Sequence, residues 1–377
     1  MSYTAAAEEE EEEEVLSPYK LFFPLGVFCA VLGVVLWVLF QTRMISFFPR
    51  IAHGELMFFG FLWSFIAGFL MTAVPKMTST KSANYLEIFT PLTCVILQVI
   101  FNVRNEHNMA YVCILLQNLA LFFFLLRRLR LIKKIPFWGF IFIPTAFFVL
   151  LVGLVMSFIY KDQSYLFTLS GEAFVFNLIL GLGSRLIPVI SRMPQALMPN
   201  QISEKNGIRL EHVIFLIILN ASYFIQIYLD YRIGVALRLV MLTYAMIKYF
   251  RIFEKPLQKT VVGLGLKISL GLFFMSHVIS LLNSSYNLAA IHVLYIGGFS
   301  LLTLLIATRV ILAHGGQTLE YEVSSKRTIS ILVLLVISSL GRYFVGAQIT
   351  SAWLLTVVIL FLIAILIWIS KFIQIES

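Results

Sequence analysis

Apolar runs of about 18 to 25 residues recur along this chain, each long enough to cross roughly 30 Å of hydrocarbon as a helix. They fall at approximately 20–41, 51–74, 88–102, 108–126, 136–159, 166–190, 211–229, 233–250, 261–282, 288–312, 328–346 and 352–370. In lipid the backbone has no water to bond, so only helices and closed barrels can span. A barrel strand alternates apolar with polar residues, whereas Val357 to Ile369 is apolar on every side. The expectation is all-α: a polytopic integral membrane helical bundle of about twelve transmembrane helices. A chain that is 60% hydrophobic and only 12% charged could not be an ordinary soluble domain.

The formal charge of +9 would suit nucleic acid, but Lys and Arg concentrate in the short connections, where they report topology. Even-numbered connections carry Lys76 and Lys81, the cluster Arg127 to Lys134, Arg192 with Lys205 and Arg209, Lys248 to Lys259, and Lys326 with Arg327. Odd ones carry fewer, so both termini are expected to be cytoplasmic and the partner to be the lipid bilayer, with no nucleic acid. The amino terminus is the acidic run Glu8 to Glu14 rather than a basic stub, so the first span is expected to act as the insertion signal. Residues 1–17 read as a disordered acidic tail and 18–377 as a single membrane domain. Cys29, Cys94 and Cys113 lie inside apolar runs without a CxxC pair and read as buried filler. No internal repeat stands out in the residues.

Polar groups at membrane depth are costly and mark function. Of six histidines, His53 opens the second span, His277 nears the end of the ninth and His292 opens the tenth, all at the outer face in this topology. Imidazoles at one depth on separate spans are what a transition-metal site or an axially ligated haem requires. The alternative is hydrogen bonding at the headgroup boundary. Met57, four residues after His53, shares its helix face, while Glu55 points elsewhere. A thioether beside an imidazole favours copper, and Glu55 can serve as an outer partner if a neighbouring helix meets it. His107 falls in an outer connection, and His212 on the cytoplasmic side. His314 lies 22 positions after His292, about 33 Å along a helix, so the two cannot share a metal. Arg309, about 25 Å from His292, is placed for the inner face. Glu172 is an acid well inside the sixth span, followed by Asn177 and Arg185. It reads either as an ion-handling group or as the partner of a buried cation such as Lys267.

Three blocks carry a family resemblance. HGELMFFGFLWSFIAGFLMTAVP from His53, GSRLIPVIS from Gly183 and HVLYIGGFSLLTLLIATRVILAHGG from His292 resemble, in order, the corresponding blocks of NnrS-type membrane proteins. His53, Met57, Gly60, Gly68 and Pro75 are in register in the first, Gly183, Arg185 and Pro188 in the second. In the third, His292, Gly297, Thr303, Thr308, Arg309, His314 and Gly316 match. Departures are Glu55 where the family has a second His, Met77 in place of the Trp region after Pro75, and Tyr295 where a Thr stands.

The resemblance implies a haem- and copper-containing multi-pass protein of the cell's inner (cytoplasmic) membrane, linked to nitric oxide metabolism and nitrosative stress tolerance. It implies haem and copper as cofactors, and nitric oxide or a related small molecule as partner. The cofactor-binding candidates are His53, His292, His277, Arg309 and Arg185. Candidate metal ligands are His53, Met57, Glu55, His292, His277 and His314, with Glu55 offering a harder oxygen in place of imidazole. A rival reading is a secondary transporter or exporter using Glu172 and Arg185. Kinship with haem-copper oxidases would require an adjacent His pair, which the chain lacks.

Overall fold

The computed structural model describes residues 17–132, 137–194, 207–282, 287–315, 320–345 and 352–376. The acidic run Glu8 to Glu14, and the loop residues Lys133, Lys134 and Lys205, lie outside them. Among the described residues there are helices and turns but no strand. Twelve long helices follow in order: α1 (Pro18–Gln41), α2 (Arg50–Thr78), α3 (Tyr85–Val103), α4 (His107–Leu129), α5 (Trp138–Tyr160), α6 (Gln163–Ile190), α7 (Leu210–Tyr228), α8 (Tyr231–Lys248), α9 (Val261–Leu282), α10 (Leu288–His314), α11 (Lys326–Phe344) and α12 (Trp353–Ile373). Eleven are long and apolar enough to cross a membrane. The exception, α8, has 18 residues that include Arg232, Arg238 and Lys248. It is one residue shorter than α7, with which it forms a hairpin closed by Asp230, whose carboxylate accepts from the Ile233 N–H at 2.9 Å. The chain is a polytopic helical membrane protein.

Helix ends differ from the hydropathy boundaries where local bonding overrides composition. The third span starts at Tyr85 because Asn84 and Glu87 form a reciprocal capping box, the Asn84 side chain accepting from Glu87 N and the carboxylate from Asn84 N. Glu87 also takes Arg128 of α4 at 2.8 Å, which closes that hairpin. The second span continues through Pro75 to Thr78 and stops where Ser79 turns left-handed at φ 52°.

The contacts divide the chain into two compact units, Met1–Pro136 and Phe137–Ser377, where the sequence suggests one membrane domain. The first unit packs α2 against α1, and α3 against α4. Its interior is aromatic: Phe23 stacks on Phe65 at 4.7 Å, and Trp63 donates from Nε1 to Asn118 Oδ1 at 2.8 Å. The second unit pairs α5 with α6, α7 with α8, α9 with α10 and α11 with α12. Large side chains such as Phe28, Phe123, Phe158 and Phe344 are more than half exposed; on a soluble protein they would be a liability, and here they face lipid.

One feature recurs with a period of four helices. α2, α6 and α10 each open with a short α-helical stretch, widen into a π-helix, and resume as α-helix. The π segments are Leu56–Leu62, Leu166–Ala173 and Val293–Ser300. A π turn displaces backbone carbonyls from the regular ladder and is frequently found at functional sites. Neighbouring helices supply donors to them. Gln98 and Gln117 donate to the carbonyls of Glu55 and Phe59 at 3.1 and 2.8 Å, and Ser269 to Gly298 at 2.7 Å.

Each π segment also meets its partner helix at a glycine. A Cβ on Gly60 would lie 2.7 Å from the Cys29 Cβ, one on Gly153 2.4 Å from the Ser170 hydroxyl, and one on Gly297 2.6 Å from Leu272. Between helices in lipid there is no hydrophobic driving force. Close glycine contacts and hydrogen bonds of about 0.6 to 2 kcal/mol each hold them instead.

Candidate functional site

His53 sits three residues before the first π segment, half-buried, and reaches across to α1. Its Nδ1 lies 2.8 Å from the Gly33 carbonyl oxygen. A carbonyl only accepts, so Nδ1 carries the proton and Nε2 is the lone-pair nitrogen, the orientation that metal-binding imidazoles adopt. Trp37 packs edge-on to the ring at 5.9 Å. Met57 adjoins the same glycine, its sulfur 3.4 Å from where a Gly33 side chain would begin. A Cβ at position 33 would meet the Leu56 Cβ first, at 3.3 Å.

In the second unit, α9 and α10 run antiparallel, and the Ser276 hydroxyl donates to the Ala290 carbonyl at 2.7 Å. That register brings His277 and His292 within about one helical turn of each other in level. His292 is half-buried and donates from Nδ1 to Leu288 O at 2.7 Å; His277 is buried, bonds Phe273 O at 3.1 Å, and lies among the rings of Phe176 and Phe273. A line of polar groups leads inward from His292. Tyr295 is 6.4 Å away ring to ring and donates to the Glu172 carboxylate at 3.5 Å. On the other side of that carboxylate lies the Arg238 guanidinium, at 3.8 Å.

Arg238 is the group that sequence reasoning missed. It is buried in α8, lies over the Tyr223 ring at 4.2 Å, and donates to Gln226 and to the Ser222 carbonyl. Tyr223 is fully buried beside Glu172. The expected partner, Lys267, instead donates to the Glu254 carbonyl at 3.3 Å, because its long stem carries the ammonium towards the helix end. Arg185, paired with Glu172 in the transporter reading, is exposed and lies 5.5 Å from the Phe137 ring centre. Thirteen positions of helix separate it from Glu172, about 20 Å, so the two do not form one binding pair.

At the other end of α10, Arg309 binds Glu322 at 2.8 Å, and Arg192 binds the same carboxylate at 3.4 Å. Glu322 is 1% exposed, so two guanidinium groups are what make its burial tolerable. Trp368 of α12 bonds Thr308 at 3.0 Å beside this knot. His314, at the helix end, donates to Val310 O at 2.8 Å. Arg309 is thereby committed to an ion pair.

Glu55 points away from His53, into the packing of α2 against α3 and α4. Its carboxylate is 1% exposed and lies 3.7 Å from His107 Nδ1. Thus His53 and Met57 come together in the first unit, as do Glu55 and His107. His277, His292 and Glu172 share a region of the second, while Arg185 and the Arg309–Glu322 knot lie apart from it. Among the described residues no three His, Cys, Asp or Glu side chains converge as a metal cage.

A model of the NnrS protein family matches residues 15–375. The chain belongs to the NnrS family. No curated protein matches it. The family match takes in nearly the whole chain, both units and all three π-widened helices, and makes this NnrS member a nitric-oxide-linked multi-pass membrane protein. The two family blocks that begin with His, at His53 and His292, each run straight into a π segment.

Proposed function

We propose that this NnrS-family chain is a haem-binding protein of the cell's inner membrane that acts in nitric oxide metabolism or nitrosative stress tolerance, with copper as a second cofactor. His53 and His292 are the axial-ligand candidates, with His277 as an additional one. The observation that carries the reading is the bond from His53 Nδ1 to the Gly33 carbonyl, which aims one basic imidazole nitrogen from a π-widened helix. His53 by itself fits haem ligation, since a haem iron can be held by a single proximal imidazole. For copper, His53 and Met57 supply one nitrogen and one thioether sulfur, the softer donors that Cu(I) prefers. A bound haem iron would supply the atom to which nitric oxide attaches. The chain's own residues fix the imidazole's tautomer through Gly33 and surround it with Trp37 and Met57. Nitric oxide partitions into lipid, so a site at membrane depth needs no aqueous channel.

Spectroscopy and metal analysis of the detergent-purified protein test this. A Soret band that shifts on addition of nitric oxide, with iron near one equivalent, is expected. A colourless, metal-free protein would overturn it. A transporter reading draws on the buried Glu172–Arg238 pair, whose contacts are long; loss of solute flux in Glu172→Gln, in a colourless protein, would favour it.

A further inference from the structure

Four buried side-chain nitrogen and oxygen atoms that lack a hydrogen-bond partner among the described residues lie at the Glu55 carboxyl: Glu55 Oε2 itself, both amide atoms of Asn102 and His107 Nδ1. Three of the four can act as electron-pair donors. Buried lone pairs without a donor are costly.

The geometry at Glu55 is specific. His107 Nε2 lies 2.9 Å from the Asn105 amide oxygen, so that nitrogen carries the proton and the lone pair sits on Nδ1. Asn105 adopts a left-handed backbone at φ 59°, which Asn tolerates better than most residues; this turn sets the start of α4 and aims the ring. The Nδ1 lone pair thus faces Glu55 Oε2 across 3.7 Å, an acceptor against an acceptor. A shared proton would draw two such atoms to within about 3.2 Å. Ligand atoms about 2.1 Å from a tetrahedral divalent ion lie about 3.4 Å from one another, close to the spacing found. Asn102, fully buried one turn beyond Gln98 on α3, sets its side-chain amide against the Glu55 carboxyl, and a flip of that amide presents its oxygen in place of its nitrogen. Gln98 holds α2 in place by donating to the Glu55 carbonyl.

We propose that Glu55, Asn102 and His107 form a binding site for a borderline divalent metal ion such as Zn²⁺. The donors are one carboxylate oxygen, one amide oxygen and one imidazole nitrogen. This set is harder than the His53 and Met57 pair and selects against Cu(I). It lies on the opposite side of α2 from His53, whose ring is turned to α1, and it stands independently of the haem assignment. His107, with a side chain 25% exposed, is the route by which an ion enters, and the ion brings positive charge to the buried Glu55 carboxylate.

The test is Zn²⁺ binding to the full-length, chelator-stripped protein in detergent, by isothermal titration and by metal analysis after dialysis. One zinc per chain is expected, with affinity reduced at least about tenfold in Glu55→Gln and in His107→Ala and unchanged in His53→Ala. Should Glu55→Gln fail to elute as a folded species, His107→Ala alone decides, because its site at the helix start is partly open to solvent. Zinc retained with unaltered affinity in His107→Ala, or no zinc retained by the parent protein, would overturn the proposal.

Discussion

Arg238 carries its guanidinium into an eighteen-residue helix, and Glu172 is the acid that it meets. Removing one member of a buried ion pair strands the other, at a cost of about 3 to 5 kcal/mol. Arg238→Ala is therefore expected to lower the thermal midpoint of the detergent-solubilised protein markedly. The double variant Glu172→Gln/Arg238→Ala should recover part of the loss, which a thermal-shift cycle would measure. Both charges are visible in the sequence as ionisable residues within apolar runs. Their pairing was not, because several cations stood at similar depth and only helix packing chooses among them. The same holds for Glu322, which lies in a connection and gains its role from Arg192 and Arg309, residues far from it or on another helix. Histidines at span ends were legible as candidates. The bond that orients His53 was not, since it depends on a carbonyl twenty residues away.

A π segment is a local matter of one extra residue per turn, and hydropathy does not register it, because LMFFGFL and VLYIGGFS are as apolar as their neighbours. Helix existence was thus readable while the widened turns were hidden. Deleting Leu62, the last residue of the first π segment, would let the turn tighten to α and rotate the start of α2 by about 100° relative to the rest. His53 would leave Gly33; membrane insertion should persist while the Soret band is lost, as checked by fractionation and absorbance. Glycines at the π contacts give a second test. A valine at Gly60 would have to displace Cys29, whose Cβ lies 2.7 Å from the new atom, and overpacking of this kind costs about 1 to 3 kcal/mol. Gly60→Val should show a lowered thermal midpoint, whereas Gly271→Ala, with nothing within 4 Å of the added carbon, should not.

Of about twelve expected spans, eleven are long and apolar enough to cross a membrane, and this multi-span helical architecture was legible because crossing lipid is a constraint on composition itself. The division into two units and the four-helix period were not. In lipid they rest on scattered glycines, serines and glutamines rather than on an apolar stripe. If α8 crosses the membrane despite its three basic residues, the termini share a face; reporter fusions at the two ends should both read cytoplasmic, and opposite readings would remove one crossing.

The most direct measurement is the absorption spectrum and iron and copper content of His53→Ala and His292→Ala, each purified as a folded protein beside the parent. Axial ligation through these imidazoles predicts a lost or shifted Soret band and lowered iron in at least one variant. A full, unshifted Soret band and undiminished metal in both would contradict it.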